Sequence, residues 1–442
     1  MKKLTISVAL ILGMISQYMV SASAAQNVTQ NTSVKSLTNS ASASASASAS
    51  AEDMLKLPQR QWDNFNRQRL DDLLAKARKY APHTFYAVFD FDNTTAFLDI
   101  EEAILVYQLK NLLFAMSPTE LDQVIRKNIP ETDFIAEFNN KDNETVNIKK
   151  ISSDILLSYQ WIYDNFDGLN GDKSFSEIIK SPHYISFITK VRYLYAAIGG
   201  SFQHEVSYPW VTYLFKNMTA AQVADITRKT IEWQNSEPIK AVTWESPASL
   251  PGKAGVLNVT WQSGFRLVPE MQDLYSQLQN AGVDVYVISA SNLEVIQSVV
   301  TKPPYSVPES QVFAMRLQRT EECKLTENLD PFYPQTQGKG KTETIRKFIQ
   351  NRYEGKGPLL VAGDSEGDQN MMSDFTDTES VLIINRLRSP ESVIGKLSAQ
   401  AVKEYGQNNT KILLQGRNEN TGYFITSQMN VPLGENSGKV LK

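Results

Sequence analysis

The sequence predicts an α/β fold: a doubly wound parallel sheet with a large, mainly helical domain inserted after its first strand. Three observations carry that reading. Short apolar runs alternate with stretches of helical spacing in two separate parts of the chain, the pattern of strand–helix units. Each run ends in acidic or hydroxyl residues, as expected where ligands sit at the carboxyl ends of parallel strands. Between the first and second runs lies a long stretch with helical periodicity and almost no strand alternation.

The N-terminus precedes any fold. Lys2 and Lys3 form a basic start, Leu4 to Val20 is apolar apart from Ser7, Ser16 and Gln17, and Ala22-Ser23-Ala24 offers a small-residue cleavage site. Residues 1–24 therefore resemble a secretory signal peptide, and a periplasmic or secreted protein is expected. A membrane anchor is the alternative; the polar interruptions and the small-residue exit oppose it, so no stable membrane insertion is expected after cleavage. Residues 25–52, ending in a Ser-Ala alternation, hold nothing that builds a core and read as a low-complexity tether.

The folded part starts near Asp53. Residues 58–80 have helical spacing (Trp62, Phe65, Leu70, Leu73, Leu74, Ala77), and Thr84 to Phe89 is a buried strand that runs into Asp90-Phe91-Asp92-Asn93-Thr94. Residues 267–279 form a second helix stopped by Gly282, before the strand Val283 to Ile288. A helix over 341–352, a strand Leu359 to Ala362 and a strand Val381 to Ile384 complete the series. Residues 53–103 and 262–442 are thus assigned to the core, and 104–261, with five of the six Trp residues, to a separate helical domain.

Composition bounds the chemistry. The 442 residues carry 44 Lys+Arg against 48 Asp+Glu, a formal charge of −4, so a sequence-independent nucleic-acid binder is not expected. Cys323 is the only cysteine and there are three histidines, which excludes an intrachain disulfide and a thiolate-rich zinc site. Any metal here would take oxygen ligands and resemble Mg²⁺.

Four segments carry the chemistry. Asp90 and Asp92 lie two apart after an apolar strand, close enough to repel unless a cation or a proton separates them; a turn or helix cap is the alternative. Ser289 follows the second strand and suits either a phosphate oxygen or a helix cap. Lys339 and Lys341 precede a helix, where a cation is unfavourable unless an anion lies beside it; Lys341 is preferred because the apolar helical spacing starts after it. Asp364 and Asp368 flank a Gly-rich turn after the third strand, suited to a cation or to an exposed turn.

Taken in order, Asp90-x-Asp92-x-Thr94, Ser289, Lys341 and Gly363-Asp364-x-x-x-Asp368 resemble the four motifs of the haloacid dehalogenase-like hydrolase superfamily. The resemblance implies a Rossmann-like core with a cap, here 104–261, that selects the substrate. It implies an aspartyl-phosphate formed on Asp90, with Asp92 as acid and base, and Ser289 and Lys341 on the phosphoryl group. It further implies Mg²⁺ held by Asp90, the Asp92 carbonyl and Asp364, with Asp368 in support. The acid at Asp92 favours a phosphatase over a dehalogenase, which lacks it.

More loosely, the apparent export signal, Asp92-Asn93-Thr94, Ser289-Ala290 and the helical insertion resemble secreted bacterial phosphorylcholine phosphatases. A quaternary ammonium is attracted to aromatic faces, which makes the insertion's aromatics (Tyr159, Trp161, Tyr163, Tyr193, Tyr195, Tyr208 and Trp210) candidate substrate contacts; a cap core is the competing reading. Glu101, Glu102 and Glu205 are candidate anionic partners. A small phosphomonoester is the expected partner. A broad-specificity phosphomonoesterase and a non-catalytic binding protein on a hydrolase scaffold are the alternatives.

Overall fold

The computed structural model describes residues 55–441; the expected signal peptide and tether lie outside the described residues. Six strands form one parallel sheet: β1 (Tyr86–Phe89), β2 (Asp284–Asn292), β3 (Val312–Met315), β4 (Leu360–Gly363), β5 (Ser380–Ile384) and β6 (Ile412–Gln415). Across the sheet they run β6-β5-β4-β1-β2-β3. The order reverses at β1: the chain builds outward to β3, then returns to lay β4 on the other side. Ligands of such sheets bind at that reversal, beyond the carboxyl ends of β1 and β4.

The middles of the strands are apolar because both faces are covered. Tyr86, Val88, Tyr286, Ile288, Val361 and Ile383 pack on one face. Ala87, Phe89, Val285, Val287, Ala362 and Leu382 pack on the other, in a core continuous with that of the insertion.

The sequence expectation of an α/β core is met, with two additions. The edge strands β3 and β6 and the short strands of the C-terminal segment, Arg417–Asn418, Tyr423–Phe424 and Asn430–Val431, were not expected. The expected helix over 341–352 is regular only across Lys339–Thr344 and continues as a wider turn, Ile345–Ile349.

Between β1 and β2 the chain forms the helices Ile100–Asn111, Pro118–Arg126, Ile148–Asn165, Pro182–Ser201, His204–Thr212 and Ala220–Ser236. Their starts are written locally: Asp99 caps the first, and Ser117 with Glu120 and Thr219 with Gln222 form capping boxes. Ile148–Asn165 packs on Pro182–Ser201 through the stacked rings of Tyr159 and Phe187, 5.1 Å apart, and through a buried ion pair, Lys190 Nζ to Asp154 Oδ2 at 2.8 Å. Contrary to expectation the insertion also holds an antiparallel hairpin, Lys240–Glu245 with Asn258–Ser263. One face of it is exposed and polar, which hid its alternation among helical segments. Among the described residues no helix is long and apolar enough to cross a membrane.

Candidate active site

The chain leaves β1 through a wide turn, Phe91–Thr95, in which Asn93 takes a left-handed conformation (φ 58°) that asparagine tolerates. The Asp90 N–H still continues the ladder, donating to the Ala362 carbonyl at 3.0 Å. The Thr95 hydroxyl then closes back on the Asp90 carbonyl at 2.7 Å. Asp90 and Asp92 reach one cavity from this turn, rather than from the shared face of an extended strand.

Lys341 enters from the helix start at Gly338 and is 2 % exposed. Its ammonium donates to Asp90 Oδ1 at 2.5 Å and to Asp368 Oδ1 at 2.7 Å. Lys339 is exposed, so of the two candidates only Lys341 reaches the acids. The other oxygen of Asp368 accepts from the Asp364 and Ser365 N–H groups, both at 3.0 Å. Gly363 permits this fold-back, because a Cβ there would lie 2.6 Å from that of Asp368. Asp364 accepts from the Thr94 hydroxyl at 3.1 Å and from Arg386 at 2.6 Å.

Carboxylate oxygens of Asp90, Asp364 and Asp368 lie within 4.8 Å of one another. Three hard oxygen donors this close suit a cation such as Mg²⁺. All three carboxylates also accept hydrogen bonds here: Asp90 from Lys341, Asp364 from Thr94 and Arg386, and Asp368 from Lys341 and two backbone N–H groups. The Asp92 side chain is engaged elsewhere, accepting from the Ile100 N–H and the Ser291 hydroxyl, each at 2.7 Å.

Burial and the neighbouring Asp368 charge push the Asp90 carboxyl well above the usual range, while Lys341 opposes them. Burial raises Asp92 to about 6, against the pull of its bonds from Ile100 and Ser291. Burial alone would lower Lys341, but Asp368 and Asp90 hold it above the usual lysine value.

Ser289 lies within β2, which continues to Asn292; its buried hydroxyl accepts from the Ser291 N–H at 3.1 Å and donates toward Asp92 Oδ2 at 3.4 Å, so it adjoins the site through Asp92. The lining hydroxyl on this strand is that of Ser291, two residues on and so on the same strand face. Trp161 and Trp210 are not among the residues that line the cavity. Trp210 is fully buried with its indole N–H on the Ile125 carbonyl, and Trp161 stacks on His183.

What the insertion contributes is Tyr195, Tyr208 and Val211, opposite Asp99 and Glu101 from the first insertion helix and its cap. Asp99 caps that helix through the Glu102 N–H, and Glu101 accepts from the Asn292 N–H at 3.1 Å. Burial drives both carboxyls well above the usual range, each also raised by its acidic neighbours. Glu102 pairs with Arg192 instead, and Glu205 is exposed and does not line the cavity.

Three arginines were not foreseen. Arg386 and Arg388, just beyond β5, line the cavity against Asp364 and Glu366. Arg417, fully buried, donates to the Asn93 carbonyl at 2.9 Å and lies over the Phe97 ring. The rule that placed Asp90 and Asp364 at strand ends would have pointed to Arg386; nothing local marks Arg417.

No protein-family model matches the chain. It is 26% identical over 328 residues to a phosphorylcholine phosphatase of Pseudomonas aeruginosa, covering 68% of this chain and 74% of that one. Over 149 residues it is 26% identical to the phosphoserine phosphatase of Mus musculus, covering 34% of this chain and 63% of that one. Among solved structures it is similar to a functionally unknown protein from Anaerococcus prevotii, with 32% identity, a TM-score of 0.79, and coverage of 87% of this chain and 99% of that one.

Proposed function

Because the chain is a phosphomonoester hydrolase of the haloacid dehalogenase-like superfamily, we propose that it cleaves small phosphomonoesters with a cationic amine head, phosphorylcholine among them, through a phosphoryl group carried on Asp90 and with Mg²⁺ as cofactor. One observation carries this reading. A single cavity of about 140 Å³ is lined by Asp90, Asp92, Lys341 and Asp364 and also by Asp99, Glu101, Tyr195 and Tyr208. Its size suits a small molecule: an apolar cavity of about 150 Å³ takes benzene. Carboxylates beside aromatic rings suit an ammonium ion, and Lys341, with a divalent cation on the acid cluster, suits a phosphate. The similarity to a phosphorylcholine phosphatase supports the same substrate class.

The residues divide the work. An Asp90 carboxylate oxygen attacks phosphorus while Asp92, holding a proton, passes it to the departing ester oxygen as the P–O bond breaks. Asp92, now a carboxylate, takes a proton from water, whose oxygen attacks the phosphorus on Asp90 and frees the side chain and inorganic phosphate. A pKa of about 6 fits both halves near neutral pH. Lys341 neutralises Asp90 and stabilises the charge that spreads over the phosphoryl oxygens. Mg²⁺, held by Asp90, the Asp92 carbonyl and Asp364, would polarise those oxygens further. The insertion, as the cap, selects the leaving group through Tyr195 and Tyr208.

The test compares phosphorylcholine with an uncharged phosphomonoester of similar size, with Mg²⁺ and with EDTA. Preference for the amine ester, lost in EDTA and in Asp90→Asn, supports the proposal. Equal rates on both esters would favour the broad-specificity reading, and turnover surviving EDTA or Asp90→Asn would remove the mechanism. We further read residues 1–24 as an export signal; secreted or periplasmic protein beginning just beyond Ala24 is the expected result, and an intact Met1 would contradict it.

A further inference from the structure

Asp364 sits at the β4 end of the cavity with one oxygen on the Thr94 hydroxyl and the other on Arg386, at 3.1 and 2.6 Å. Asp364 is 2 % exposed, so a guanidinium this close is a strong, poorly screened partner. Arg386 is held in place by its own loop. The Asn385 N–H donates to the Gln415 carbonyl at 2.9 Å, and its side-chain amide donates to the Gln428 carbonyl at 2.7 Å. The Asn385 side-chain oxygen then accepts from the Leu387 N–H at 2.9 Å, while Leu387 is kept left-handed at φ 54°. A non-glycine residue in that conformation costs energy and persists where its surroundings enforce it. The C-terminal segment therefore fixes a turn whose effect is to aim one arginine at Asp364.

The charges give this a purpose. Asp90, Asp364 and Asp368 bring three negative charges together, and Lys341 and Arg386 bring two positive ones. Counted with all three carboxyls ionised, the group stands at −1 without a divalent cation and at +1 with one, the latter suited to an incoming phosphate dianion. Without Arg386 the same states are −2 and 0. The fold would then strain against like charges when empty and attract phosphate less when loaded.

We propose that Arg386 is a positioning residue that serves as the built-in counter-charge of Asp364: it holds the carboxylate in place while the site is empty and competes with the divalent cation for it. The inference rests on the cation reading above. Removing the competing charge strengthens cation binding and makes the fold depend on it.

The experiment measures Mn²⁺ binding by the electron paramagnetic resonance of the free ion, and melting temperature in EDTA and in Mn²⁺, for the wild type, Arg386→Ala and Arg386→Lys. The expected result is at least about tenfold tighter Mn²⁺ binding by Arg386→Ala than by wild type, a lower melting temperature in EDTA, and a larger rise on adding Mn²⁺. Arg386→Lys, which keeps the charge, should lie near wild type. If Arg386→Ala folds only with the cation and unfolds on chelation, that supports the inference. Equal or weaker Mn²⁺ binding in Arg386→Ala, with a wild-type melting temperature in EDTA, would overturn it. Binding by wild type with no change in the variants defeats this inference alone. Binding by Arg386→Ala but not by wild type supports it and defeats the cation reading for the native chain. Binding by neither defeats both.

Discussion

Replacing Lys341 with methionine keeps most of the side-chain volume and removes the charge that Asp90 and Asp368 share. Both contacts, at 2.5 and 2.7 Å, are buried. At an effective dielectric of about 20, unit charges 4 Å apart attract by about 4 kcal/mol, and these pairs are closer. Losing the lysine also removes its own desolvation cost, so the net loss is smaller than the two attractions together. Breaking a buried pair from one side costs about 3–5 kcal/mol, and that is the expected destabilisation at pH 7 in EDTA. The sign with pH follows from the carboxyl left behind. Asp90 already has a raised pKa, and without Lys341 it rises further. A raised carboxyl pKa costs stability as pH climbs above the unfolded-state value, so the variant's deficit should shrink toward about pH 4. The lysine itself has a raised pKa, so its contribution is complete across this window and disappears only in strong alkali. Urea unfolding of wild type and Lys341→Met at pH 7 and pH 4.5, with EDTA and with Mg²⁺, measures all of this. A loss under about 1 kcal/mol at pH 7 in EDTA, or an equal loss at both pH values, would refute the reasoning.

Other consequences follow from the same geometry. Asp92→Asn should lower kcat by about 10²–10⁴ and remove the ionisation near 6 from the pH–rate profile; a retained limb there would assign it to another group. Asp99→Asn and Glu101→Gln should raise KM for an amine-headed ester by tenfold or more, on the order expected of a lost buried charge contact, and leave an uncharged ester within about threefold. Because both carboxyls have raised pKa values, KM for the amine ester should also climb as pH falls and they take up protons. Arg417→Met should reduce kcat by about tenfold or more with little change in KM, since Arg417 touches the Asn93 carbonyl in the Asp92 turn and not the cavity; a change confined to KM would contradict that role.

The parts of the site legible in the sequence share one property: each directly follows a local signal. Asp90 and Asp364 end apolar strands, and Lys341 lies in a helix start after Gly338. Glu101, Tyr195 and Tyr208 were among the sequence's candidates but could not be singled out from their neighbours, and Asp99 was not among them, because which side of a helix faces the cavity depends on how the insertion packs over the sheet. The sequence offered the insertion's tryptophans and tyrosines together as a substrate wall, and packing separates them. Trp210 is fully buried, its indole N–H bonded to the Ile125 carbonyl, whereas Tyr195 and Tyr208 line the cavity. The strand β6, Ile412–Gln415, is followed by no chemistry-bearing motif like those after β1 and β4, so the approach of Arg417 to the first motif across 324 positions of sequence was invisible. Edge strand β3 escaped for the same reason, having no flanking motif.

The central claim is that Asp90 carries the phosphoryl group. Acid-quenching the enzyme during turnover of a chromogenic phosphomonoester, followed by peptide mass spectrometry, reads it directly. A phosphoryl group on Asp90, absent from Asp90→Asn, is the predicted result. A phosphoryl group found on any other residue, or turnover by Asp90→Asn at the wild-type rate, would contradict the account.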